Sequence, residues 1–128
     1  MIPRKDISGQ ISRKLLRDCS DPNGKLRMET LEKIQTLIHQ AGDRIQLNGT
    51  AELVGVLSTR LKEESNNKIA IKNLVGTIGI LGYALGKLAV KIKGKFFPQL
   101  LDILSNKAPE VRSAVVAALD SWASSIGP

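Results

Sequence analysis

Apolar residues recur along the chain at steps of three and four, which is the period of an amphipathic α-helix. The clearest stripe lies near the end of the chain and consists of Val111, Val115, Ala118, Leu119, Trp122 and Ile126. Two earlier stretches show the same period, from Leu26 to Ala41 and from Ile69 to Leu85. The alternation typical of strands is weak throughout, so the pattern predicts an all-α fold.

A short polar corner precedes each of these three helices. The first corner is SDPNGKLR at 20–27, the second is ESNNKIA at 64–70 and the third is SNKAPEVR at 105–112. Leu26, Ile69 and Val111 open the three apolar stripes and lie 43 and 42 residues apart. A second helical pattern lies upstream of each corner and is marked by Ile7, Ile11 and Leu15, by Leu53, Val56, Leu57 and Leu61, and by Phe97, Leu100, Leu101 and Leu104.

The chain therefore contains three helix–corner–helix units, at about 5–42, 49–86 and 88–127. A repeat in the low to mid forties is typical of HEAT-type helical hairpins. The sequence predicts a right-handed array of about three HEAT-like hairpins, an α-solenoid with six main helices in a single domain. The turn inside every hairpin of such an array lies along the same edge. We expect the three corners to form one continuous surface, the corner ridge.

Residues with strong positional preferences support these helix boundaries. Pro109 suits the first turn of a helix, Thr50 is a good N-cap residue, and Asn66 or Asn67 is expected to cap the helix after the second corner. Glycine suits the left-handed residue that closes a helix. Three helices are accordingly expected to end near Gly42, Gly86 and Gly127.

The uncharged stretch from Leu74 to Gly86 has 13 residues, fewer than the roughly 20 that a membrane-spanning helix needs. It is predicted to be a buried helix. Four glycines fall at steps of three, three and four, namely Gly76, Gly79, Gly82 and Gly86. This spacing differs from the G-x-G-x-x-G of dinucleotide sites, so we expect the glycines to let another helix approach closely.

The formal net charge is +7, and residues 65–128 carry 8 Lys and Arg against 3 Asp and Glu. This excess favours an acidic partner, because the summed charge steers association. Nucleic acid, an anionic membrane surface and an acidic protein are candidates. The chain has only four aromatic residues, which argues against nucleic acid because single-strand binders use aromatic platforms.

Two groups of cations are candidate binding surfaces. The first lies on or just past the three corners and consists of Lys25, Arg27, Lys68, Lys107 and Arg112. Its recurrence at every corner favours a partner-binding ridge over simple solubility. The second is a basic patch formed by Lys87, Lys91, Lys93 and Lys95, between which Leu88, Ala89, Val90 and Ile92 are expected to dock the segment. This patch is either an ordinary solvent-exposed face or a binding site for an acidic surface.

Catalytic chemistry is not indicated. Cys19 is the only cysteine and His39 the only histidine, which excludes an internal disulfide and a zinc cluster of Cys and His. No pair of carboxylates is placed for acid–base work. We predict a non-enzymatic protein with no cofactor, no metal, no small-molecule substrate and no membrane partner. The charged start MIPRKDIS lacks the apolar core of a signal peptide, so a cytosolic location is expected.

The ordered series of corners and helices resembles the TOG domains of the microtubule-polymerase family. The matching stretches cover essentially the whole chain and are PRKDIS at 3–8, DPNGKLR at 21–27, RLKEESNNK at 60–68, ALGKLAVKIKGKFFPQLLDILSN at 84–106 and SNKAPEVRSAVVAALDSWA at 105–123. The resemblance is closest to the N-terminal half of a fourth TOG domain in an array.

This resemblance implies that the corner ridge binds αβ-tubulin or microtubules and that the parent protein promotes microtubule growth. Other cytoskeletal proteins are further candidate partners. The implied location is the cytoplasm, on microtubules, the spindle and the centrosome. The tubulin-binding residues that it implies are Lys25 and Arg27 in the first corner, Asn66, Asn67 and Lys68 in the second, and Lys107 and Arg112 in the third.

Two departures from the family pattern qualify this expectation. The first corner of a tubulin-binding TOG domain typically carries a tryptophan, and Gly24 stands there in this chain. We therefore expect weaker or altered tubulin binding. A full TOG domain has six repeats, so the resemblance implies an excised fragment or a shortened homologue. An open end near Trp122 and Ile126 is expected to expose apolar surface and favour self-association.

Two alternatives remain open from the sequence. One is a generic basic HEAT-repeat scaffold that binds a different acidic protein through the lysines of the basic patch. The other is a nucleic-acid binder, whose affinity would fall steeply with salt concentration.

Overall fold

The computed structural model describes residues 2–127 and contains six α-helices. They are α1 (Arg13–Asp18), α2 (Gly24–Gln40), α3 (Ala51–Glu63), α4 (Lys68–Leu85), α5 (Lys93–Ile103) and α6 (Pro109–Ile126). Short 3-10 helices span Ser8–Gln10 and Gly86–Lys91. Over these residues the only β-type pairing is an isolated parallel bridge between Lys5 and Ile45. The predicted all-α array of helical hairpins with six main helices is confirmed.

The helices form two layers. Helix α4 packs against both α2 and α6, and its interface with α6 is the most extensive in the structure. Helix α3 contacts α1, α4 and α5. The second helices of the three hairpins therefore form one layer and the first helices the other. Each hairpin lies within one of the three segments that the repeat predicts.

Helix α4 lies at the centre of the core. Its fully buried apolar residues include Ile71, Leu74, Val75, Ile78, Leu81, Ala84 and Leu85. The prediction that the uncharged stretch is a buried helix is confirmed. By length and composition Lys68–Lys91 resembles a membrane span. However, 56% of its apolar 18-residue stretch is buried within the fold. Core helices of soluble folds have the same character.

Glycines allow α4 and α6 to approach closely. The indole Nε1 of Trp122 donates a hydrogen bond of 2.9 Å to the backbone carbonyl of Ile78. A Cβ on Gly82 would lie 2.2 Å from that nitrogen, and one on Gly79 would lie 3.2 Å from the Cα of Ala118. The predicted close approach is confirmed at these two glycines. It is wrong for Gly76, beside which nothing lies within 4 Å.

Most of the predicted helix ends are observed. Helices α2, α4 and α6 end just before Gly42, Gly86 and Gly127, whose φ angles are +73°, +58° and +92°. Helix α6 begins at Pro109, as predicted. Thr50 is the N-cap residue of α3, as predicted, but its side chain makes no capping hydrogen bond. Its hydroxyl donates instead to the carbonyl of Leu47 at 2.6 Å, one turn back along the chain.

The predicted first helix begins later than Ile7. Residues 8–10 form a 3-10 helix, and α1 starts only at Arg13, after Ser12. The Ser12 hydroxyl accepts a hydrogen bond from the backbone N–H of Leu15 at 3.1 Å. This side chain therefore caps α1 and sets its start. The residues before Ser8 run alongside the α2–α3 connection, where the Lys5 N–H donates to the Arg44 carbonyl at 2.9 Å.

Two expectations about exposure are wrong. Ile69 does not open the buried stripe of α4, since it is 66% exposed and the buried face begins at Ile71. Trp122 does not contribute to an open apolar end, because it is fully buried. The rings of Phe96 and Phe97 meet the indole edge to face, with centroids 5.8 and 5.5 Å away. Ile126 is half-buried.

Candidate functional site

The three corners lie side by side along one edge of the array. The guanidinium of Arg27 in the first corner is 2.7 Å from Oε1 of Glu64, which caps the end of α3 at the second corner. Lys68 in the second corner forms an ion pair with Glu110 in the third. These two contacts join consecutive corners. The edge that they define is the corner ridge.

Local hydrogen bonds fix the shape of the first corner. The side chain of Asn23 accepts from the N–H groups of Lys25 and Leu26 at 2.9 and 3.3 Å. The carboxylate of Asp21 accepts in turn from the N–H of Asn23 at 2.8 Å. Gly24 and Lys25 are both exposed to solvent. The first corner is therefore a rigid turn that presents one exposed lysine and no aromatic ring.

The side chain of Arg27 makes hydrogen bonds and an ion pair within the protein. Its side chain is 18% exposed and donates to the carbonyls of Asp21 and Pro22 at 2.7 and 3.1 Å. It shares the buried Glu64 carboxylate with Arg60, whose guanidinium lies 3.2 Å away. Arg27 closes the first corner and ties it to the second. Its predicted contact with a partner stays a prediction.

The second corner combines a structural asparagine with exposed polar groups. The side chain of Asn67 accepts from the N–H of Ala70 at 3.2 Å and caps α4, as predicted. Asn66 is exposed. Lys68 is 60% exposed, and its ammonium bonds to Glu110. This hydrogen bond, more than any other cause, holds the pKa of Glu110 below its usual value. The positive charge of Lys68 is therefore partly balanced in the free protein.

The third corner repeats the construction of the first. The side chain of Asn106 accepts from the N–H of Ala108 at 2.9 Å, and the guanidinium of Arg112 donates to the Asn106 carbonyl at 2.7 Å. Arg27 and Arg112 thus each bond to a carbonyl six residues earlier. Arg112 is half-buried, whereas Lys107 is exposed. In the third corner, therefore, the arginine closes the turn and the lysine faces solvent.

A groove of about 610 Å³ separates the second corner from the third. Its polar lining comes from both corners and from the end of α5, and consists of Ser65, Asn66, Lys68, Asp102, Ser105, Asn106 and Lys107. The ridge is consequently not flat. It offers amide and ammonium donors on the two sides of a shallow depression.

The structure divides the predicted ridge residues into two groups. Lys25, Asn66 and Lys107 are exposed and point to solvent, with Lys68 exposed but paired. Arg27, Asn67 and Arg112 instead shape the corners. Sequence reasoning missed Glu64 and Glu110, which join the corners. An acidic residue in the first turn of a helix, as at Glu110, is a recognisable signal, but its partner lies 42 residues away.

The basic patch lies at the far end of α4 from the ridge. Lys87 and Lys91 belong to the 3-10 helix that follows α4, and Lys93 and Lys95 begin α5. All four lysines are exposed. Ala89 is fully buried and docks the segment, as predicted, but the same expectation is wrong for Val90, which is 55% exposed.

Nothing else in the described residues resembles a reactive centre. Across residues 2–127, no three His, Cys, Asp or Glu side chains are grouped as metal ligands. Burial, reinforced by Asp18, raises the pKa of the Cys19 thiol to about 11. The imidazole Nδ1 of His39 lies 2.7 Å from the Asp43 carboxylate on the surface.

No protein-family model matches the sequence. The chain is 34% identical over 121 residues to protein MOR1 of Arabidopsis thaliana, and 32% identical over 122 residues to protein mini spindles of Drosophila melanogaster. It is 31% identical over 121 residues to centrosomal protein 224 of Dictyostelium discoideum. These matches cover 92–95% of this chain but only 6% of each relative. The names of two relatives refer to the spindle and the centrosome.

Proposed function

We propose that this chain is a TOG-type helical-repeat module of a microtubule-growth regulator and that its corner ridge binds αβ-tubulin. Similarity to MOR1 and mini spindles along almost the whole chain supports the TOG family. The single observation that carries the binding site is the alignment of three corners, held together by two ion pairs, with exposed donors at each corner. The module would act without catalysis, on cytoplasmic microtubules, the spindle and the centrosome.

Electrostatic attraction would bring the ridge and tubulin together. Tubulin is strongly acidic, and charges at the rim of an interface act mainly on the rate and orientation of encounter. Lys25 and Lys107 lie at the two outer corners and face solvent. Each exposed ion pair that they form would contribute about 0.2–1 kcal/mol. Two such pairs favour weak, reversible binding.

The rigidity of the corners would offset part of the entropic cost of binding. Loops that are ordered before association lose little freedom when the complex forms. Asn23, Asn67 and Asn106 each accept backbone hydrogen bonds within their corner, and Arg27 and Arg112 close two of the turns. In this proposal the asparagines and arginines position the ridge, while Lys25, Asn66 and Lys107 make the contacts.

The absence of a tryptophan at Gly24 would limit affinity. Buried aromatic anchors often supply much of the binding energy of an interface. A Cβ at Gly24 would lie 3.5 Å from the Arg27 guanidinium, an ordinary van der Waals distance, and the position is exposed. Gly24→Trp therefore places its Cβ without a clash. We expect this variant to bind tubulin more tightly than the wild-type chain.

Size-exclusion co-elution with unpolymerised αβ-tubulin, at low and moderate salt, tests the proposal. The ridge variant is Lys25→Glu with Lys107→Glu. The matched control is Arg13→Glu with Lys33→Glu, which makes the same charge change at two exposed sites on α1 and α2. We expect the wild type and the control to shift with tubulin and the ridge variant not to. Equal binding by all three folded proteins would rule out the ridge as the site.

A further inference from the structure

The distribution of acidic side chains isolates the basic patch electrostatically. Residues 65–101 contain no Asp or Glu, a run of 37 residues. Among the described residues, none of Lys87, Lys91, Lys93 and Lys95 forms an ion pair with a carboxylate, whereas Arg27 and Lys68 of the ridge both do. In the free protein, therefore, no carboxylate of residues 2–127 is paired with any of these four lysines.

The backbone beneath these lysines is firmly held. Ala89 and Phe96 are fully buried, and the Lys95 carbonyl accepts a hydrogen bond of 3.0 Å from the Ser58 hydroxyl on α3. The ammonium of Lys93 lies 4.9 Å from the centroid of the Phe97 ring, a cation–π distance that restricts the lysine. The backbone that carries the patch, and the side chain of Lys93, are consequently ordered before a partner binds. Preordered groups bind with a smaller entropic cost than mobile ones.

The patch is spatially distinct from the corner ridge. Helix α4 begins with Lys68 at the second corner and has 18 residues. At about 1.5 Å per residue, its two ends lie about 27 Å apart. Because the basic patch starts directly after α4, a partner segment bound there would leave the ridge accessible.

We propose that the basic patch binds an extended acidic segment of a partner polypeptide. Carboxylates of that segment would pair with the four lysines, and an apolar side chain beside them would cover Val90, which is 55% exposed. Complementary charge without a deep pocket suits an unfolded acidic chain, which can follow a convex surface and adapt to it. The proposal does not depend on tubulin binding by the ridge.

The apolar surface around the lysines does not fit a membrane. Interfacial membrane segments insert a broad apolar face, but Leu88 and Ile92 are half-buried in the fold and only Val90 is largely exposed. The aromatic residues next to the patch do not fit nucleic acid either, because Tyr83, which is 60% exposed, is a single ring and not a stacking platform. Single-strand binding uses exposed rings for stacking, whereas Phe96 is buried and Phe97 packs between Lys93 and Trp122.

Fluorescence anisotropy with a labelled polyglutamate peptide, at low and physiological ionic strength, tests this proposal. The patch variant replaces Lys87, Lys91, Lys93 and Lys95 with Gln. The matched control replaces Arg13, Arg17, Lys33 and Lys62 with Gln, so that it loses the same charge from exposed sites outside both the patch and the corner ridge. We expect the peptide to bind the patch variant at least about tenfold more weakly than the control, because the lysines act at short range while net charge is screened by salt.

Equal weakening in both variants would overturn the proposal, since net charge alone would then explain binding. The absence of peptide binding to the wild type would overturn it as well. Two further probes distinguish the other partner classes, namely an oligothymidylate and phosphatidylserine vesicles. Preference of the wild type for either probe over polyglutamate would also contradict it. Tubulin co-elution of the same patch variant reports separately on the ridge, so failure of one proposal is distinguishable from failure of the other.

Discussion

Adding one methyl group at Gly82 is expected to destabilise the protein strongly. The new Cβ would lie 2.2, 2.3 and 2.5 Å from three atoms of the Trp122 indole, whereas carbon atoms in contact prefer about 3.5–4.0 Å. The fully buried ring would have to move by more than about 1 Å. Overpacking of this kind costs about 1–3 kcal/mol.

Movement of the ring would also break its hydrogen bond. Indole Nε1 donates to the Ile78 carbonyl at 2.9 Å, and a buried donor left without an acceptor costs about 1–3 kcal/mol. Alanine has a higher helix propensity than glycine, which returns about 1 kcal/mol. Gly82→Ala should therefore lower the free energy of unfolding by about 1–5 kcal/mol, the sum of these contributions.

Gly76→Ala is the matched control, because Gly76 lies in the same helix, is exposed and has nothing within 4 Å of the added methyl group. It should raise the free energy of unfolding by about 0.5–1 kcal/mol. Urea unfolding followed by circular dichroism measures both variants. Near-ultraviolet spectra report on Trp122, the only tryptophan. A Gly82→Ala protein as stable as Gly76→Ala would refute the close packing of α4 on α6.

Three further outcomes are expected. Glu64→Gln leaves the largely buried guanidinium groups of Arg27 and Arg60 without their carboxylate. It should cost about 3 kcal/mol in urea unfolding, the lower end of the range for broken buried pairs. A loss no larger than that of Glu52→Gln, at an exposed site, would contradict this. The pKa of Glu110 is lowered by Lys68, so its ion pair stabilises the fold above the usual glutamate range and is lost as the pH falls through the lowered value. An NMR titration should show that pKa rising toward the ordinary value in Lys68→Gln, and no change would contradict the pairing. Cys19 is buried, and its pKa is about 11 against 9.0 for an ordinary thiol. At pH 8 it should therefore be alkylated at least about 100-fold more slowly in the native than in the urea-unfolded protein. Comparable rates would contradict its burial.

The sequence pattern predicts much of the fold because the relevant signals are local. The stripe from Val111 to Trp122 is set by helical period alone, and Gly42 and Gly86 end helices by their own conformational freedom. The first helix is shorter than its apolar spacing suggests. Ser12 caps α1 through its own side chain, and this local preference outweighs the spacing of Ile7 and Ile11.

The candidate site is less predictable because the roles of its residues depend on distant parts of the chain. Arg27 and Lys25 look alike in the sequence, but of these two cations only Arg27 pairs with Glu64. Glu110 lies 42 residues from the lysine that it pairs with. Spacing indicates which corners share an edge, but it does not indicate which cations on that edge are already neutralised.

The small size of α1 implies that this helix unfolds locally more easily than the rest of the protein. This helix has six residues and contributes no fully buried side chain, whereas α4 is buried along most of its length. Amide protons in α1 should therefore exchange with solvent through local fraying, and those of α4 only through global unfolding. Lys25 belongs to α2. The first corner would therefore keep this cation in place even while α1 is transiently unfolded.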